Sequence, residues 1–191
     1  QDKIFWLFVV LAFLYALCEG TLSNWAVLYL NQSQRLSESV SAQALSVFWM
    51  CLALGRLAVS ALLVAVHAKW PYRILPALMV IAFWLLPHAQ TPAKALAVFA
   101  LAGVSCSALF PLTVGMASKR FPSSVAWVSS IIIAALMTGI GLGTFGVGLL
   151  QQIMPLSLIF RLSAVYPVLM LLLGWRTCDN NTQNAVIAGV K

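Results

Sequence analysis

IFWLFVVLAFLYALCEGTLSNWAVLYL, residues 4–30, is the stretch whose reading decides the fold. It carries one ionisable acid, Glu19, and shows no sustained alternation of apolar and polar residues. A hydrocarbon core of about 30 Å takes roughly 20 apolar residues in helical form, and a tilted barrel strand about half that. The stretch therefore reads as a transmembrane helix with a carboxyl at mid-depth.

Five further segments of the same kind follow. They run from Val40 to Val66, from Tyr72 to Leu86 between Pro71 and Pro87, from Ala93 to Met116, from Ser124 to Leu150 and from Pro155 to Trp175. The third is short for a crossing. Of the 191 residues 62% are hydrophobic and 8% charged, with a mean hydropathy of +0.98. So few charges cannot wet the surface of a soluble domain of this size, so lipid is the implied solvent. The expectation is an all-α membrane protein, a six-transmembrane-helix bundle over residues 1–176 with a cytoplasmic tail at 177–191. The sequence starts at Gln1 and its first apolar run lacks the shape of a signal peptide, so it reads as the later part of a longer or processed protein.

The net charge of +7 raises nucleic acid as a partner, but the basic residues flank apolar runs instead of sharing a polar face. Lys3, Lys69, Arg73, Lys119, Arg120, Arg176 and Lys191 fall on one side of a six-span bundle, Arg35 and Lys94 on the other. An odd number of spans would scramble this partition. The bias makes the first side cytoplasmic, with both chain ends there. Trp6, Trp70, Tyr72 and Trp175 are expected at that boundary as interfacial rings. Cys18, Cys51, Cys106 and Cys178 form no CxxC pair, and no metal or cofactor is called for.

The costly residues carry the functional reading. Glu19 at mid-membrane costs about 3 kcal/mol and must face the bundle interior or a water-filled cavity. It is a substrate or proton site, or a structural carboxyl tying two helices. Tyr15, Glu19 and Ser23 share one helical face; Thr21, Trp25 and Tyr29 share another, with Asn24 between. Gly20 is where the helix is expected to loosen. Arg56, deep in Leu54-Gly-Arg-Leu57, needs a carboxylate, carbonyls or water, and Glu19 is a possible partner. Arg161 lies near the opposite boundary and can snorkel to it. In the fourth segment Gly103, Ser107 and Phe110 are expected on one face, and Pro111 removes a mid-helix hydrogen bond. The glycines at 139, 141, 143, 146 and 148 allow close packing of the fifth segment.

Two other classes are open to the residues. An intramembrane serine protease of the rhomboid kind would use Gly103-Val-Ser105 as its nucleophile motif, but His67 and His88 fall in loops, leaving no base near the serine. A passive membrane scaffold has no need of Glu19 and Arg56.

The motif order resembles the carboxyl-terminal six-helix half of a major facilitator superfamily transporter, in particular the fucose-permease-like branch of sugar and proton symporters. Leu14 to Leu30 resembles the branch's seventh helix, Phe48 to Leu57 its eighth, Ser105 to Leu112 with Lys119 and Arg120 its tenth, and Ser129-Ser130 with the fifth-segment glycines its eleventh. The resemblance implies one half of a twelve-helix fold in a bacterial inner membrane. It moves a small polar, sugar-like solute by alternating access, is proton-coupled, and is completed by a missing amino-terminal half or a second copy. No enzymatic activity is expected of such a half. In this reading Glu19, Asn24, Trp25, Ser107 and Phe110 contact the solute, and Arg56 gates or pairs. Phe110 replaces a tyrosine-like position before the proline, which removes a hydroxyl contact.

Overall fold

The computed structural model describes residues 3–174; Trp175, Arg176, Lys191 and the tail at 177–191 lie outside the described residues. Its elements are α1 (Lys3–Asn24), α2 (Ala26–Gln34), α3 (Glu38–Leu62), α4 (Lys69–Leu85) extended by a 3-10 turn Leu86–His88, α5 (Pro92–Cys106), α6 (Leu109–Arg120), α7 (Val125–Leu150) and α8 (Leu156–Ser163). Helix resumes after Ala164 and runs to Gly174. No strand occurs among the described residues. Six helical spans are long and apolar enough to cross a membrane, with mean hydropathies from 1.3 to 2.1: Lys3–Asn24, Glu38–Leu62, Lys69–His88, Pro92–Arg120, Pro122–Leu150 and Leu156–Gly174.

Local chemistry fixes several boundaries. Ser37 caps α3, its hydroxyl accepting from the Val40 amide, and Thr91 caps α5 at Lys94 with Pro92 in the first turn. The third span is longer than its flanking prolines imply. Pro71 sits inside the first turn of α4, where its missing N–H costs no intrahelical bond, so the helix starts at Lys69 and reaches full length. The first segment, by contrast, is not one helix. It breaks at Trp25, beyond Gly20, and restarts as α2. Thr21 and Ser23 hydroxyls donate back to the carbonyls of Leu17 and Glu19 just before the break, a pattern that bends helices. Gly20 instead lies flat against the Ile140 backbone.

Contacts set the relative directions. Phe5 stacks on Trp127 and Gly139 lies on Ala16, while Trp25 reaches Gly148, so α1 and α7 run parallel. Gly103 meets Phe48 and Gly55 meets Ser107, so α3 runs parallel to the fourth span. Tyr72 near the start of α4 meets Thr113 late in that span, so these two are antiparallel. Lys3, Lys69, Arg73, Lys119 and Arg120 thereby gather near one end of the bundle. Tyr72, expected at the headgroup boundary, is buried, its hydroxyl 3.1 Å from that of Thr113; Trp6 and Trp70 are exposed.

Burial is uneven. Within an 18-residue apolar stretch of each span, 61% of the residues are buried in the first and fourth spans, against 17% in the second and 22% in the fifth. The first and fourth spans form the interior; α3 and α7 flank it with most of their surface outward.

Candidate functional site

The site grows from one proline. In an unbroken fourth span the carbonyl of Ser107 would accept from the amide of residue 111, but Pro111 has none, and its ring crowds that carbonyl. The span accordingly breaks between α5 and α6, at Ser107 and Ala108. Two freed carbonyls are met by side chains from two other helices. The Tyr15 hydroxyl on α1 donates to the Cys106 carbonyl at 2.9 Å, and Arg56 Nε on α3 donates to the Ser107 carbonyl at 2.9 Å. These two bonds tie three spans together at the break.

Glu19 lies one turn from Tyr15, 8% exposed. Its carboxyl lies in Coulombic range of the Tyr15 hydroxyl and of Arg56. Arg56 itself is exposed apart from its bond to Ser107. Phe110 is half-buried and stacks on Tyr15, ring centroids 6.4 Å apart. Glu19, Arg56, Ser107 and Phe110 are thus brought together around Tyr15.

Ser107 participates through its backbone. Its side chain is fully buried under Gly55 with the hydroxyl donating to the Val104 carbonyl at 2.7 Å, which leaves no open face to a solute. Of the expected common face of Gly103, Ser107 and Phe110, the first two are kept together against Phe48 and Gly55 of α3, while Phe110, beyond the break, turns to Tyr15 of α1.

Asn24, the last residue of α1, and Trp25, which follows it, form a second group. Asn24 Nδ2 donates to the Thr144 hydroxyl at 2.7 Å, and Trp25 Nε1 donates to the Thr144 carbonyl at 3.1 Å. The indole is half-buried against Gly148, while Asn24 is exposed. Thr144 and Tyr15 organise the two groups. Sequence reasoning placed Tyr15 on the face of Glu19 without assigning it a bond, and it passed over Thr144 among the glycines of the fifth segment.

Ser105 is buried, its hydroxyl donating to the Ala102 carbonyl at 2.7 Å; His67 is exposed in the connection between α3 and α4, and His88 is exposed at the end of the 3-10 turn Leu86–His88. No cluster of three His, Cys, Asp or Glu side chains able to hold a metal occurs among the described residues.

Fold and geometry together define a helical chain with six spans fit to cross a membrane and a polar break inside. No protein-family model matches the chain, and no curated protein matches it.

Proposed function

We propose that the chain is the carboxyl-terminal half of a major facilitator transporter, of the sugar and proton symporter kind. It supplies one wall of a central cavity that carries a small polar solute by alternating access. The observation that carries this reading is the mid-span break with Glu19 beside it. Non-helical backbone at membrane depth is tolerated where it lines a cavity or is met by neighbours, and ionisable groups at depth mark solute or proton pathways.

The uneven burial supports it as well. Arg56 on α3, Thr138 on α7 and Asn24 are polar and exposed at or near the faces that α3 and α7 leave open. Lipid is a poor solvent for an exposed guanidinium, whereas a water-filled cavity against a second six-helix bundle is a good one. That bundle is the amino-terminal half or a second copy of this chain. The excess of basic residues at one end favours a cytoplasmic location for that end, with both chain ends there, in a bacterial inner membrane.

Glu19 is the coupling group in this reading. Glu19 shares a helical face with Tyr15, which bonds the Cys106 carbonyl, and lies in electrostatic range of Arg56, which bonds the Ser107 carbonyl, so in this reading the charge on the carboxyl bears on both ties that hold the break. Trp25 and Phe110 offer aromatic surface, and Asn24 offers an amide. Ser107 contributes its carbonyl through Arg56.

The test is uptake by the complete transporter in proteoliposomes under an imposed proton gradient. Glu19→Gln is expected to abolish gradient-driven accumulation while leaving solute exchange. Accumulation equal to wild type would make Glu19 structural and remove the basis of the reading.

A further inference from the structure

A groove of about 630 Å³ opens between the end of α4 and α8, lined among others by Val80, Phe83, Trp84, His88, Gln90 and Arg161. It lies at the end of the bundle opposite Lys3 and Lys119, and nothing in the transport reading uses it. Its chemistry is graded along its length. Val80 precedes His88 by eight residues, about 12 Å of helix. The Val80 end is apolar, with Trp84 73% exposed beside it, and the His88 end presents Gln90 and the exposed Arg161. No acid among the described residues lines it. The aliphatic stem of Arg161 starts on the second turn of α8, so its charge snorkels toward the boundary where the polar end of the groove lies.

An amphiphile fits such a gradient better than a soluble ion or an apolar solute. The geometry points to a binding site for one anionic phospholipid, its phosphate held by Arg161 with His88 and Gln90, and an acyl chain laid against Trp84, Phe83 and Val80. Charge complementarity selects the headgroup, because the groove has a permanent cation and no competing carboxylate. The inference needs only that the chain sits in a bilayer and stands apart from the transport reading.

The test uses the full chain in neutral detergent micelles, with thermal unfolding followed as lipid is added. Short-chain phosphatidylglycerol is expected to raise the midpoint saturably, at lower concentration than phosphatidylcholine, while inorganic phosphate does nothing. Arg161→Gln is expected to weaken the phosphatidylglycerol response about fivefold, the size of one lost cation–phosphate contact at a bilayer surface; Lys94→Gln, another cation near that end, leaves it unchanged. Equal responses to the two lipids, an equal response to inorganic phosphate, or equal losses in both variants would overturn the site. If Arg161→Gln does not fold, bromine-labelled phosphatidylglycerol reads the same groove. It is expected to quench wild-type tryptophan fluorescence by a larger fraction than that of Trp84→Phe, and identical quenching overturns it.

Discussion

At Gly103 the absence of a side chain decides how closely two helices approach. A Cβ there would overlap the Phe48 carbonyl oxygen and stand 3.0 Å from the Cys51 Cβ, so α3 would have to move off α5. Backbone cannot yield as a flexible side chain can, and overpacking of this kind costs about 1–3 kcal/mol. Gly141 is the counterexample, because a Cβ there meets nothing within 4 Å. Gly103→Ala is therefore expected to lower stability by about 2 kcal/mol, and Gly141→Ala to raise it by up to about 1 kcal/mol through the helical preference of alanine. Unfolding of both variants in mixed micelles measures the pair, and equal effects would contradict the packing described here. Glycine density in the fifth segment was visible in the sequence, but which glycines touch was not. Gly139 and Gly143 lie on Phe13, Ala16 and Leu17 of α1, four residues apart on one face, and the partner helix had to be known before that face had meaning.

The break between α5 and α6 behaves as an element in its own right, since its stability comes from outside the span. The carbonyl of Ser107 depends on Arg56 because Pro111 offers no amide. Removing a charged donor to a buried carbonyl costs about 1.5–3 kcal/mol. Arg56→Ala should show that loss in the native sequence and a smaller one in a Pro111→Ala background, where residue 111 regains an N–H for Ser107. A double-mutant cycle is expected to give a coupling of about 1 kcal/mol or more; strict additivity would mean the arginine acts elsewhere. This break was legible because proline states its own backbone consequence. The break at Trp25 was not. Thr21 and Ser23 bond to their own helix while Asn24 and Trp25 bond to Thr144 on α7, and that tertiary partner lies 119 positions or more along the chain. The third span shows the same limit in reverse: two prolines read as walls, and one of them was a helix start.

For the whole molecule, the outward surface and the charge partition make one claim about orientation. Lys119 ends α6 at the basic end, and Lys94 opens α5 at the other, so the fourth span separates them by its full length, Pro92–Arg120. Both lysines are exposed, so a cysteine at either position is open to a water-borne reagent. Cys18 and Cys106 are fully buried, so replacing Cys51 and Cys178 by serine leaves a background suited to labelling. In intact bacterial cells, a membrane-impermeant maleimide should modify Lys94→Cys at once and Lys119→Cys only after the membrane is opened. The expected cause is the cost of carrying clustered lysine and arginine across the bilayer during insertion, which under the proposed orientation would keep the basic end in the cytoplasm. Labelling in the opposite order would invert the assignment. Labelling of both positions in sealed cells would mean that the span does not cross, and the cavity drawn around Glu19 would lose the bilayer that makes a buried carboxyl informative.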